Sequence, residues 1–177
     1  NDADFSAGIA KLYPHLLACD QSNDCDVAIA SRLPLTAVDG MLLDDGPKVV
    51  AARLGPEFSN ALIVGVHTTH VPNSQLQFEQ LSILSKRLGT EQAPMIVTGD
   101  FNATTQSRLV QDFGKSLELT QAATLPTFPT YFGLPQLAIE KIMVSADIVK
   151  VGAQTGGDAA GSDHIPIARS VAIPTSR

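Results

Sequence analysis

Met95-Ile96-Val97-Thr98-Gly99-Asp100-Phe101-Asn102 is the stretch on which the reading of this chain turns. Pro94 opens it, and Met95 to Thr98 form a short apolar, β-branched run of the kind that makes a strand buried on both faces. Gly99 ends the run, and two polar side chains, Asp100 and Asn102, follow at once. Working outward, the strongest helix signal lies just upstream. Asn73 or Ser74 caps it, Phe78, Leu81, Leu84 and Leu88 recur at three- and four-residue spacing, and Gly89 stops it. Upstream again, Val49 to Leu54 and Ala61 to Val66 are aliphatic runs separated by Gly55, Pro56 and Asn60, which predicts an antiparallel pair. Asp26 to Ala30 is expected as a strand, and Ala3 to Leu12 as a short helix.

Downstream, Gln106 to Phe113 has the pattern of a second amphipathic helix. Pro126 to Pro135 holds three of its prolines at 126, 129 and 135 and is expected as a loop. Ile139 to Val144, Ile148 to Val151 and Ile165 to Ile173 are three further strands. Between the last two, Gly156 to Gly161 forms a loop that delivers Ser162-Asp163-His164. Six or more strands with two or three helices predict a mixed α/β chain.

The 177 residues suit one domain, 1–177. Apolar residues make up 44 % and charged residues 17 %, so the chain has the material for a core and is no disordered segment. No apolar run is long enough for a membrane-spanning helix. The formal charge of −6 argues against non-specific wrapping of nucleic acid, which needs a Lys/Arg surface. It leaves room for an anionic site around a divalent cation. Cys19 and Cys25 flank a polar loop, so a disulfide is expected, with two free thiols as the alternative. A disulfide would place the chain in an oxidising compartment, periplasmic or extracellular.

Several polar residues directly follow or precede apolar strands: His67 after Ala61 to Val66, Asp100 and Asn102 after Met95 to Thr98, Asp163 and His164 before Ile165. Such positions collect at the rim of a sheet, where loops build sites on a rigid frame. Carboxylates offer hard oxygen ligands for Mg²⁺ or Mn²⁺. An Asp can orient or deprotonate a water, and an imidazole can hold a developing charge. The set suits hydrolysis of a phosphate ester. A Gly-x-Ser-x-Gly elbow is absent from the sequence, which disfavours a serine hydrolase. His70 is a rival to His67, and Asp100 with Asn102 has the plainer reading of an Asx-turn.

Gly99-Asp100-Phe101-Asn102 and Gly161-Ser162-Asp163-His164-Ile165-Pro166 resemble two signature motifs of the endonuclease/exonuclease/phosphatase superfamily. It takes in pancreatic-type deoxyribonuclease, apurinic-site endonucleases, inositol-polyphosphate phosphatases and sphingomyelinases. Ala30-Ser31-Arg32-Leu33-Pro34-Leu35, Val66-His67-Thr68 and Thr127-Phe128-Pro129 resemble three more of its segments, in the right order. The resemblance implies a four-layer αββα sandwich with two mixed, mostly antiparallel sheets, represented here by its later two-thirds.

It also implies roles. Asp100 would orient or activate the attacking water, and Asn102 would hold that water or a phosphate oxygen. His67 and His164 would contact the phosphate, and Asp163 would ligate the metal. Glu140, in Ile139-Glu140-Lys141-Ile142, stands where the family carries an Asp that buttresses the last His. The implied activity is divalent-metal-dependent hydrolysis of phosphate esters, with Mg²⁺ or Mn²⁺ as cofactor. The substrate would be a nucleic acid, a phospholipid headgroup or a small phosphate ester, and a monomer is expected. The contrasting reading is a non-catalytic binding or regulatory module that keeps the fold.

Overall fold

The protein is described from a computed structural model covering residues 8–19, 26–41, 45–70 and 72–175. Its strands are β1 (His15–Ala18), β2 (Ala28–Ser31), β3 (Thr36–Ala37), β4 (Lys48–Arg53), β5 (Leu62–His67), β6 (Met95–Asp100), β7 (Thr120–Ala123), β8 (Glu140–Val144), β9 (Val149–Gly156) and β10 (Ile167–Ala172). Two helices, α1 (Ser74–Leu88) and α2 (Arg108–Ser116), flank β6 in the sequence. Residues 8–12 form a further helical turn, while the rest of the expected Ala3 to Leu12 helix lies outside the described residues.

Six strands make one mixed sheet in the order β3-β4-β5-β6-β8-β7. The expected pairing of the two aliphatic runs is antiparallel, with Val49 opposite Val66 and Arg53 opposite Leu62. Strands β5 and β6 run parallel, as they must when a helix carries the chain from one to the next. Alternation then sorts each strand into two faces. Val49, Ala51, Leu62, Val64, Val66, Met95, Val97 and Met143 meet Leu81, Leu84 and Leu88 of α1 and Val110 and Phe113 of α2 in the main core.

The opposite face of the sheet is covered by two antiparallel hairpins, β1-β2 and β9-β10. Leu17, Val27 and Ile29 pack on Val50 at one end, and Val171 and Ile173 pack with Ile96, Ile142 and Val144 at the other. The result is the expected α/β sandwich. Gly65 lets the first hairpin approach, because a Cβ there would lie 2.9 Å from Val27 Cγ1. Burying this much aliphatic surface contributes about 25 cal/mol per Å² removed from water, so the two faces together dominate stability.

Three expectations needed adjustment. Phe78 is 49 % exposed and does not belong to the apolar stripe of α1; Gln77 occupies that stripe and is buried. Positions 77, 81, 84 and 88 share one side of the helix, whereas 78 is turned about 100° away. Strand β9 extends to Gly156, five residues beyond the expected end at Val151. Strands β1, β3 and β7 carried no clear alternation in the sequence and are additions. Cys19 is buried and is not a free thiol, but Cys25 lies outside the described residues, and with it the expected pairing. Among the described residues, no helix is long and apolar enough to cross a membrane.

Candidate functional site

Register builds the site. His67 pairs with Lys48 on one side and Asp100 on the other, and Asp100 pairs in turn with Glu140. Lys48, His67, Asp100 and Glu140 therefore form one transverse row at the end of the central strands. Partners directly opposite each other share a face, and this row lies on the face away from the helices. The apolar side chains that alternate with them, Val49, Val66 and Met143, fix that choice by being buried beneath α1 and α2.

Gly99 makes the bend before Asp100. Its φ is +141°, and a Cβ at this position would sit 2.0 Å from the Val66 carbonyl oxygen. Only glycine tolerates both conditions. Immediately after it, Asp100 Oδ1 accepts the backbone N–H of Asn102 at 2.7 Å. The Asx-turn of the plainer reading does form, and it aims the two side chains. Asn102, at φ +46°, donates its side-chain amide to the Thr68 carbonyl at 2.8 Å.

Buried polar groups lock this loop to its neighbours. Gln77 Nε2 donates to the carbonyls of Phe101 at 2.9 Å and Thr69 at 3.0 Å, and Thr68 Oγ1 donates to the Phe101 carbonyl at 2.6 Å. From below, Lys141 is fully buried and its ammonium donates to the carbonyls of Ala103, at 2.8 Å, and Ala138. Burial lowers the Lys141 pKa to about 8, against the opposing pull of Glu140 and Asp100.

His164 arrives from the loop between β9 and β10, next to this row. Its Nδ1 is hydrogen-bonded to Glu140 Oε1, so the longer side chain standing at the buttress position does reach. Glu140 Oε2 accepts from Thr127 Oγ1, whose residue is fully buried. Phe128 packs against the imidazole at 4.7 Å between centroids. Burial is the largest influence on Glu140 and raises its pKa, outweighing the His164 hydrogen bond. Burial acts the other way on His164, yet the Glu140 hydrogen bond and the charges of Glu140, Asp100 and Asp163 outweigh it and raise the pKa.

His67 has a carboxylate of its own. Its Nδ1 lies 2.9 Å from Asp26 Oδ1, while Asp26 Oδ2 accepts from Lys48 Nζ at 3.3 Å. Partial burial would raise the Asp26 pKa, but the hydrogen bonds and charges of His67 and Lys48 hold it below the usual carboxylate value.

These groups face a cavity of about 460 Å³ lined by His67, His70, Asp100, Asn102, Phe128, Leu137, Ile139 and His164. Both candidate histidines of the Val66–His70 segment line it, and of the two His67 is the one bonded to a carboxylate among the described residues. Asp163 stands at the edge, its side chain 59 % exposed, with Oδ1 3.9 Å from His164 Nε2. Among the described residues, the group whose ligand atoms converge for a metal is Asp100, Glu140 and His164, with all three atoms within 4.8 Å of one another. Two carboxylates on a frame rich in oxygen acceptors fit a hard divalent cation that keeps several waters.

Sequence comparison bears on the same residues. The endonuclease/exonuclease/phosphatase family model matches residues 2–164. The chain belongs to that family. No curated protein sequence matches it significantly. Solved structures with the same fold include an endonuclease/exonuclease/phosphatase from Beutenbergia cavernae (TM-score 0.66, 18 % identity, 82 % of this chain and 47 % of that one). Beta toxin from Staphylococcus aureus, in a variant with bound magnesium ions, gives a TM-score of 0.62 at 18 % identity over 91 % and 79 % of the two chains. Mannosyl-6-phosphatase from Bacteroides thetaiotaomicron gives 0.56 at 16 % identity over 71 % and 57 %. The chain thus spans little more than half the length of that last relative.

Sequence reasoning missed Asp26, Gln77, Thr127 and Lys141 as parts of the candidate site. Asp26 was legible only as the start of a strand. Thr127 lay within a quoted segment, but its contact with Glu140 emerges only when the loop folds back.

Proposed function

We propose that the protein is a divalent-metal-dependent phosphoester hydrolase, with Mg²⁺ or Mn²⁺ as the cation. The observation that carries this reading is the convergence of two carboxylate–imidazole pairs, Asp26–His67 and Glu140–His164, on one cavity with Asp100 and Asn102 between them. Family membership and the magnesium bound to beta toxin support it. Asp100 and Asp163 would hold the cation, which would neutralise phosphate charge, while both Glu140 oxygens are engaged by His164 and Thr127.

Water attacks phosphorus in line with the leaving oxygen, and one P–O bond forms as the other breaks. Asp100 orients that water and draws off its proton. Asn102 retains a second amide N–H for a phosphate oxygen beyond the one it gives Thr68. His164, charged with the help of Glu140, donates a hydrogen bond to the phosphate and is placed to protonate the departing alkoxide. His67, held by Asp26, donates a hydrogen bond to a second phosphate oxygen. A periplasmic or extracellular location belongs to the same proposal, as the oxidising compartment that a Cys19–Cys25 disulfide would require.

The test is hydrolysis of bis-p-nitrophenyl phosphate by the 177-residue chain, with and without Mg²⁺ or Mn²⁺. Metal-dependent turnover abolished by Asp100→Ala and by His164→Ala is expected. A folded chain without turnover under either metal would favour a binding module in place of an enzyme.

A further inference from the structure

One rim of the cavity differs from the rest of the surface. Residues 119–139 contain no Asp, Glu, Lys, Arg or His, although charged residues make up 17 % of the chain. Within that run, Phe128 and Leu137 form an antiparallel bridge that closes a loop over 128–137. The loop is pinned by Gln136 and Leu137 N–H groups on the Phe128 carbonyl at 3.1 and 2.9 Å. At its start it is tied to the catalytic segment: Thr130 donates its N–H to the Asp163 carbonyl at 3.0 Å and its hydroxyl to the Ser162 carbonyl at 2.8 Å.

The two most exposed large apolar side chains among the described residues stand in this loop, Leu134 at 80 % and Tyr131 at 66 %. Phe128 and Leu137, at the base, line the cavity beside His164. The apolar tip and the phosphate-binding groups therefore belong to one short, hydrogen-bonded unit. A protein-binding patch of this kind would carry charged or polar residues around its apolar centre. A leucine at a loop tip with a tyrosine beside it and no charge in the run matches what a lipid–water boundary accepts, with the tyrosine at headgroup depth. The net charge of −6 opposes an anionic membrane and leaves a zwitterionic one.

We propose that the Phe128–Leu137 loop docks on a zwitterionic lipid surface through Leu134 and Tyr131, and that the phosphoester delivered to His164 is a lipid headgroup. The second half rests on the hydrolase reading above; the docking itself does not. The probe is sedimentation of the 177-residue chain with phosphatidylcholine vesicles, beside phosphatidylglycerol vesicles and the doubly substituted Tyr131→Ser, Leu134→Ser chain. Expected are binding to phosphatidylcholine and a loss of about tenfold or more in vesicle affinity on substitution, since burying one such side chain is worth about a factor of ten. Turnover of soluble bis-p-nitrophenyl phosphate by the substituted chain should equal that of the parent.

Failure to bind phosphatidylcholine, equal binding by the substituted chain, or binding confined to phosphatidylglycerol would overturn the docking proposal. A substituted chain that also loses soluble turnover would do so too, by showing that the loop serves the shape of the site. Vesicle binding without any soluble turnover by the parent would sustain the docking and remove the headgroup as substrate.

Discussion

Asp26–His67 and Glu140–His164 are the same chemical pair in two surroundings. The first is open, with side chains 51 % and 35 % exposed, and shares its carboxylate with Lys48. The second is enclosed, at 15 % and 30 %, with Thr127 on the far oxygen and Phe128 against the ring. In the open pair the carboxyl is held below its usual value; in the enclosed pair both partners are raised. The contrast teaches that the shell around a carboxylate–imidazole pair, more than the pair itself, sets the direction in which its carboxyl shifts.

The strongest way to break this comparison is to neutralise each carboxylate in turn. Glu140→Gln is expected to slow bis-p-nitrophenyl phosphate hydrolysis by about 10²–10⁴-fold, and Asp26→Asn by about tenfold or less. Equal losses in steady-state assays would mean that enclosure is irrelevant. Next in size, Lys141→Met orphans the buried carbonyls of Ala103 and Ala138, and urea unfolding should show a loss of about 2–4 kcal/mol. An unchanged midpoint would mean that the frame beneath the enclosed pair holds without the ammonium.

Thr127→Val should cost about 1–3 kcal/mol, with Thr127→Ser recovering most of it. If serine fails to rescue, the methyl packing of Thr127 matters more than its bond to Glu140. The subtlest contrast is in pH. His164, raised when folded, contributes stability that is full below its unfolded value near 6.5 and is lost as pH rises through the folded one. Asp26, lowered when folded, contributes stability present above 3.8 and lost as pH falls through its folded value. The contributions of His164 and Asp26 are therefore lost at opposite ends of the scale. NMR titration should show the His164 midpoint falling in Glu140→Gln and holding in Asp26→Asn.

What the sequence made legible follows from where each residue sits. Asp100, Asn102, His67, Glu140 and His164 could be picked out because each adjoins an apolar strand within a short motif. Asp26 could not, since its partner is 41 positions away and nothing local announces the contact. Gln77 was hidden inside a helix whose leucines drew attention to the wrong neighbour, Phe78. Lys141 looked like an ordinary strand residue next to Glu140; it lies in register with Gly99, and its ammonium is satisfied by the Ala103 and Ala138 carbonyls, contacts that the strand pattern does not announce. Strand β7 reads Thr-Gln-Ala-Ala, which has no β-branched alternation, and it exists because β8 offers it an edge.

The transverse row has a consequence for how such a chain tolerates change. Its groups are aligned by counting residues from the apolar positions beneath α1 and α2, so the core acts as a ruler for the cavity. Lengthening the connections outside the strands leaves that count untouched. Removing a single residue inside β5 or β6 puts every later side chain of the strand on the other side, and His67 or Asp100 would then face leucines. Molecules of this design can acquire new rims freely, while the spacing between their valines and their catalytic groups is fixed to the residue.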